Sequence, residues 1–300
     1  MHTFTLATVR TPEGRKAALG VEGAYYLLDV LRPELGWTVR TLVDHWDTSL
    51  PLLQGLADRL TEKTDGPTAP IEASLVQFET PVVYPNKLMA VGANYSGHLK
   101  EMGLAVQKWE SMPFFLRPPT TTLVGPGETV HIPRSTKQFD WELELVVIVC
   151  KRLRNASREE AATAVAGYSI GLDLSCRDLI PSDNDLKIDL VRGKAQDTMA
   201  PCGPYLMPAA FVPDPYNLRL QLSVNGEPMM DASSSEMLYH IDEMLSIISE
   251  YITIEPGDML FTGSPSGSAG VHGGRFLKPG DKIHASIEGV GEMDVVMRQD

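Results

Sequence analysis

The 300-residue chain is poor in cysteine: Cys150, Cys176 and Cys202 are the whole complement, and no two stand close together. An odd, scattered set excludes a disulfide framework and a cysteine-ligated zinc cluster. It fits reduced thiols in a cytoplasmic protein, each acting as a small core residue. Positive charge is scarce as well. The 26 Lys and Arg against 39 Asp and Glu leave a net charge of -13, which argues against a nucleic-acid partner, and there is no basic stripe with interleaved aromatics. No uninterrupted apolar stretch reaches spanning length, which excludes a transmembrane helix and a membrane partner. Met1-His-Thr-Phe-Thr-Leu6 has no basic segment followed by an apolar one, so no signal peptide is expected. What the chain does have is 43% hydrophobic residues, enough to bury a sizeable core in one large domain or a main domain with an appendage.

Residues 1 to 35 alternate apolar and polar around turn signals such as Pro12-Glu-Gly14 and Glu22-Gly23, a pattern of short antiparallel strands. Residues 38–47 and 49–63 have helical periodicity, with Thr38 and Ser49 as N-caps and Leu52, Leu53, Leu56 and Leu60 on one stripe. Thr64-Asp-Gly-Pro-Thr-Ala-Pro70 is turn-rich and suits a linker. These features predict a small N-terminal α+β domain over 1–80 and a main domain over 81–300. The main domain is strand-dominated. Ser157-Arg-Glu-Glu160 opens a helix through Ala166, with a capping box and Gly167 at its end. A second helix spans about 235–250, with Met237, Ile241, Met244, Leu245 and Ile248 at core spacing. Glu255-Pro-Gly-Asp258 and Lys278-Pro-Gly-Asp281 are similar turns, but of too ordinary a sequence to establish an internal repeat. A regular βαβ series is absent, which excludes a Rossmann fold or TIM barrel and leaves an antiparallel or mixed β architecture.

The most informative feature is Glu142-Leu-Glu144, inside the strand-like run Asp140-Trp-Glu-Leu-Glu-Leu-Val-Val-Ile-Val149. Alternation points both carboxylates to one face. Taken alone, such a pair is more often a solvated strand face. If buried, the two would repel, and a divalent cation between them would relieve the repulsion. Asp173, at the end of a second strand-like segment, could supply a third carboxylate, although alone it would more often form a strand-end turn. Three oxygen donors without His or Cys suit Mg²⁺, with Mn²⁺ or Ca²⁺ as alternatives. Upstream, Lys87-Leu-Met-Ala-Val-Gly-Ala-Asn-Tyr-Ser-Gly-His98-Leu-Lys-Glu101 reads as a strand, a turn and one helical turn. His98 and Glu101 then touch at i, i+3, and a histidine beside a carboxylate can act as a general base, whereas a lone histidine near a turn is usually structural. His131, His240, His272 and His284 have no partner pattern.

An ordered set of motifs makes the pattern specific. Gly92-x-Asn-Tyr-x-x-His98-x-x-Glu101 is followed by Pro113-Phe-Phe-Leu-Arg-Pro118, Asp140-Trp-Glu-Leu-Glu144 and Gly171-x-Asp173-x-x-x-Arg177-Asp178. Gly193-Lys194, Pro201-Cys-Gly-Pro204, Val224-Asn-Gly-Glu227, Pro256-Gly-Asp258 and Thr262-Gly-Ser-Pro-Ser-Gly267 come next. In this order, over residues 81–300, the chain resembles the fumarylacetoacetate hydrolase family, in the manner of its short bacterial acylpyruvate hydrolase-like members. The resemblance implies a β-rich α+β fold whose catalytic domain is a mixed β-sandwich or β-roll. It also implies metal ligation by Glu142, Glu144 and Asp173, and water activation by His98 supported by Glu101. Lys194 matches a lysine that stabilises an enolate. Tyr95, Arg117, Arg177, Gln196 and Ser264 stand where substrate contacts are expected. Each has a rival reading: Lys194 as a surface lysine, Arg177 as a structural ion pair with Asp178 or the metal carboxylates, Ser264 as a turn residue and Tyr95 as a core residue. Arg117 replaces the lysine of many members, and Ser264 replaces a threonine. Residues 1–80 match only loosely.

The activity so implied is metal-dependent hydrolysis of a carbon–carbon bond in a 1,3-dicarbonyl 2-oxo acid of the acylpyruvate or fumarylpyruvate kind, in catabolism of aromatic compounds, by a cytoplasmic homodimer. The same site would also suit decarboxylation of oxaloacetate, or isomerisation or hydration of a 2-hydroxy-dienoate. A more distant alternative is a non-catalytic, metal-stabilised binding protein.

Overall fold

The structure is a computed structural model that describes residues 2–33, 37–63 and 69–299. Strands β1 (Thr5–Thr11), β2 (Gly14–Val21) and β3 (Ala24–Leu27) form the expected antiparallel meander. Helices α1 (Leu28–Leu31), α2 (Val39–Asp44) and α3 (Trp46–Thr61) follow, then the short edge strand β4 (Ile71–Glu72). The central part runs through β5 (Leu88–Val91), α4 (Ser96–Glu101), β6 (Phe114–Arg117), α5 (Pro119–Thr122), β7 (Leu123–Val124), β8 (Thr129–Ile132), β9 (Phe139–Asp140) and β10 (Leu143–Val149). After these come α6 (Arg158–Ala162), β11 (Val165–Leu172), β12 (Ser175–Cys176), α7 (Leu190–Lys194) and β13 (Ala200–Pro208). The chain closes with β14 (Arg219–Val224), β15 (Glu227–Ser233), α8 (Ile241–Tyr251), β16 (Met259–Phe261), β17 (Lys282–Ile287) and β18 (Gly291–Gln299).

Two sheets carry the β-rich α+β fold. The larger has the order β4-β3-β2-β1-β13-β11-β10-β16-β5-β6, with β7 beside β13, and the smaller has the order β15-β14-β17-β18-β8. The N-terminal meander enters the larger sheet through β1 and β13, at Leu6 opposite Leu206. The interior of the larger sheet is apolar on both faces. Leu143, Leu145, Val147 and Val149 of β10 join a core shared with the smaller sheet and α8, while Val146 and Ile148 join another shared with α2 and α3. The three cysteines are free and buried, as expected. No helix among the described residues is long and apolar enough to cross a membrane.

Several local expectations change. Thr38 caps α2 in a capping box with Thr41, but α3 begins at Trp46, so Ser49 is a buried residue inside the helix and not its cap. His45 ends α2 and starts α3, which leaves no loop to cap. Residues 64–68 of the expected linker lie outside the described residues. Ser157 and Glu160 form their capping box, yet α6 stops at Ala162. From Val165 the chain is recruited by pairing with Val149 of β10, and strand pairing overrides helical pattern. Gly167 therefore lies in β11 and does not end a helix: a Cβ there would stand 2.2 Å from the Met207 carbonyl oxygen. The later helix begins at Ile241, not near 235, because the Asn94 side chain binds the backbone of Tyr239 (N–H at 2.7 Å, C=O at 3.1 Å) and Met237 bridges Tyr95 in extended form.

Candidate active site

Glu142 and Glu144 share the face of Val146 and Ile148, and they are 5% and 1% exposed, so the solvated-face alternative does not hold. Asp173 follows β11, the partner of β10, and donates its N–H to the Glu142 carbonyl at 2.9 Å. Its side chain is buried too, and one oxygen from each of the three carboxylates lies within 4.8 Å of the others. Burial, and then repulsion from Asp173 and Glu142, pushes Glu144 well above the usual carboxylate range. Burial acts the same way on Glu142, but the charges of Lys194 and Arg177 outweigh it and hold this group low. Three convergent, buried, hard oxygen donors fit a divalent cation, which would offset the repulsion that raises Glu144. Glu144 also accepts the Gly263 N–H at 2.7 Å. Gly263 has φ +93°, and a Cβ there would lie 2.9 Å from the Asn94 Cβ, so this donor needs glycine.

Three cations surround the carboxylates. Lys194, at the end of α7, is buried, and its Nζ lies 2.8 Å from Glu142 Oε2 and 2.5 Å from Asp173 Oδ2. Burial lowers the pKa of this ammonium, but Asp173 and Glu142 outweigh the effect and raise it. Asp189 caps α7 through the Arg192 N–H. Arg117, fully buried on β6, pairs with Asp173 and donates to the Met199 carbonyl at 2.7 Å. Arg177 lies with Nε 2.8 Å from Asp140 Oδ2 and its guanidinium 2.6 Å from Glu142 Oε1, and Asp178 is instead bound by Thr136 and the Lys137 N–H.

The helical turn read from the sequence at 96–101 is α4. His98 Nδ1 lies 3.0 Å from Glu101 Oε2, and Nε2 lies 3.8 Å from Glu142 Oε1. With Nδ1–H donating to Glu101, Nε2 is left as the acceptor nitrogen. A cavity of about 300 Å³ opens beside His98, Glu101, Asp140 and Arg177. Ser264 is buried directly after Gly263, and its hydroxyl donates to the Pro265 carbonyl at 3.3 Å. Of the expected substrate contacts Arg177 lines this cavity; Arg117 and Ser264 lie outside its lining, and Tyr95 and Gln196 are committed elsewhere. Tyr95 is fully buried in the larger core, where burial pushes its hydroxyl up. The Gln196 amide donates back to the Arg192 carbonyl at 2.6 Å.

Some residues that shape the site were not assigned a role from the sequence. Asp140 holds Arg177 and accepts the N–H groups of Trp141 and Ala269, and its even-numbered place beside Glu142 and Glu144 was a usable signal. Glu236 accepts the Gly97 N–H at 2.8 Å and the Ser96 hydroxyl at 3.2 Å, anchoring α4 from 139 residues away, which no local pattern announces.

A β-rich fold thus buries a carboxylate triad, able to hold a metal ion, beside a histidine–glutamate pair. Residues 87–298 match the family model described as Fumarylacetoacetate (FAA) hydrolase C-terminal. The chain belongs to the fumarylacetoacetate hydrolase family. It is 32% identical over 280 residues to the mitochondrial oxaloacetate tautomerase FAHD2A of Bos taurus, covering 91% of this chain and 85% of that protein. Among solved structures it resembles a putative HpcE protein from Mycobacterium smegmatis (TM-score 0.82, 30% identity, 98% and 99% of the two chains). It also resembles maleylpyruvate hydrolase from Sphingobium sp. SYK-6, solved with manganese(II) ion and pyruvate (TM-score 0.77, 27% identity, 98% and 99% coverage).

Proposed function

We propose that this protein is a cytoplasmic, homodimeric, metal-dependent hydrolase that cleaves a carbon–carbon bond in a 1,3-dicarbonyl 2-oxo acid of the acylpyruvate kind. The observation that carries the reading is the His98–Glu101 pair set with Nε2 3.8 Å from Glu142, one of the triad carboxylates. Glu142, Glu144 and Asp173 would hold the ion, Mg²⁺ in the first instance, with Mn²⁺ or Ca²⁺ as alternatives. When bound, it supplies Lewis acidity toward the carboxylate and keto oxygens of the 2-oxo acid. His98 Nε2 accepts a proton from water, and the resulting hydroxide adds to the more distant carbonyl carbon. The adduct collapses, its carbon–carbon bond breaks, and the electron pair passes to the 2-oxo acid fragment as an enolate. The Lys194 ammonium offsets that developing charge, and protonated His98 returns the proton. Arg117 positions Asp173, Arg177 positions Glu142, and Ser264 is assigned to the surroundings of the substrate, whereas Tyr95 and Gln196, turned into the core and back to Arg192, are not. All of this chemistry falls in the proposed domain 81–300, and residues 1–80 are assigned to a supporting N-terminal domain that shares its sheet.

The bovine relative named as a tautomerase supports a second reading, in which the same His98–Glu101 pair moves a proton between carbon and oxygen without water attack. Decarboxylation, isomerisation and hydration of related oxo acids share that enolate chemistry. Product analysis with Mg²⁺ or Mn²⁺ separates the readings. Pyruvate plus a second acid marks hydrolysis, CO₂ marks decarboxylation, and an unchanged carbon count marks a tautomerase, isomerase or hydratase. His98→Ala is expected to lower kcat by roughly 10²–10⁴-fold, and unaltered turnover would remove His98 from this role. Metal-dependent melting without turnover of any oxo acid would instead favour the non-catalytic binding protein.

A further inference from the structure

The lining of the 300 Å³ cavity includes charged and titratable groups (His98, Glu101, Asp140 and Arg177), the Ser268 hydroxyl, and an apolar part (Met102, Val271 and Phe276). Met102 is 42% exposed and Val271 is 54% exposed. Large apolar side chains left open beside a cavity mark surface that a ligand can cover. Phe276 is half-buried and packs on the larger core, which holds its ring in place. The polar part sets two carboxylates, Glu101 and Asp140, against one cation, and that cation is engaged: Arg177 already lies on Asp140 and Glu142. Lys100 comes two residues after His98, so it leaves α4 on a different side, and it is exposed. A second carboxylate at the far end of a substrate would lose hydration in a cavity with excess negative charge and no uncommitted cation in its lining. An alkyl or aryl end would instead cover Met102, Val271 and Phe276 and gain from leaving water.

We propose that this cavity selects 2-oxo acids whose far end is apolar and uncharged over dicarboxylic ones, and that Met102, Val271 and Phe276 set the preference. The proposal rests on the oxo-acid reading above for the placement of the reacting end, and is independent of which reaction follows. Calorimetric titration of the full chain loaded with Mn²⁺ tests it, comparing 2-oxohexanoate with 2-oxoadipate, which differ at the far end by a carboxylate. The monoacid is expected to bind at least about tenfold more tightly. Equal or tighter binding of the diacid overturns this proposal alone; binding of neither overturns the oxo-acid reading and this proposal with it. Val271→Arg brings a cation to the apolar wall and is expected to shift the preference at least about tenfold toward 2-oxoadipate. Met102→Lys, at another exposed position, is a second variant expected to act in the same direction. An unchanged preference in both variants overturns the assignment of these residues.

Discussion

Asp258 and Glu144 are buried to nearly the same degree, 0% and 1% exposed, at opposite ends of the same pair of strands, β16 and β10. Burial pushes both carboxyl groups up. The surroundings differ. Asp258 accepts the Lys87 N–H and the Glu255 N–H, each at 2.8 Å, and lies 3.0 Å from the Lys87 ammonium, so every partner it meets is a donor. Glu144 accepts one N–H, from Gly263, and then faces Asp173 and Glu142, which raise it further. Burial alone therefore does not mark a functional carboxylate. Convergence with other carboxylates is what sets Glu144 apart, because the repulsion they leave is what a bound cation would relieve.

Exchanging charge for an isosteric amide at each end breaks the comparison most directly. Glu144→Gln keeps an acceptor for Gly263 and removes one of three convergent charges. Mn²⁺ affinity, read by calorimetric titration, is expected to fall by more than the roughly 10–100-fold that loss of a ligand-supporting partner costs. The metal-free variant is expected to melt at or above the parent temperature, since a like-charge contact is gone. A variant that binds Mn²⁺ as the parent does would remove Glu144 from the ligand set.

Asp258→Asn is expected to give the opposite pattern: unchanged Mn²⁺ affinity and a stability loss of about 1–3 kcal/mol in urea unfolding, because the amide has one acceptor oxygen for two backbone donors and turns its own NH₂ on the other. Its pH signature also differs. A carboxyl raised in the folded state contributes stability that is full below its ordinary value of 3.8 and is lost as the pH rises through the higher folded value. The asparagine variant should flatten that part of the stability curve, and an unchanged curve would show that Asp258 does not contribute to it.

Asp281 sharpens the comparison at the smallest scale. It closes the second Pro-Gly-Asp turn with the same bond, Lys278 N–H to its carboxylate at 2.9 Å against 2.8 Å in the first. Its side chain is 13% exposed where that of Asp258 is 0%. Water can replace part of what Asp281 provides, so Asp281→Asn is expected to cost less than about 1 kcal/mol in the same unfolding assay. A cost equal to that of Asp258→Asn would mean that turn geometry, and not burial, sets the value.

Much of the local framework was legible in the chain. The antiparallel meander expected over 1–35, found over 5–27 before helix α1 takes over, the Thr38 and Ser157 caps, and the i, i+3 contact of His98 with Glu101 follow from short-range spacing. What misled was also short-range. Helical pattern ran past Ala162 and began before Ile241, because strand pairing with β10 and the Asn94 side chain decided those boundaries from far away in sequence.

The sequence by itself determined that Glu142 and Glu144 share a face, since alternation along a strand is a property of the backbone. It determined equally that His98 and Glu101 meet within one helical turn. Only the tertiary structure decided that the shared face is buried, that Lys194 and Arg117 reach Asp173, and that Gly263 turns its N–H on Glu144. Burial and pKa depend on neighbours brought from 20 to 120 residues away, here 21 for Lys194 with Asp173 and 119 for Gly263 with Glu144, and no local pattern encodes those distances.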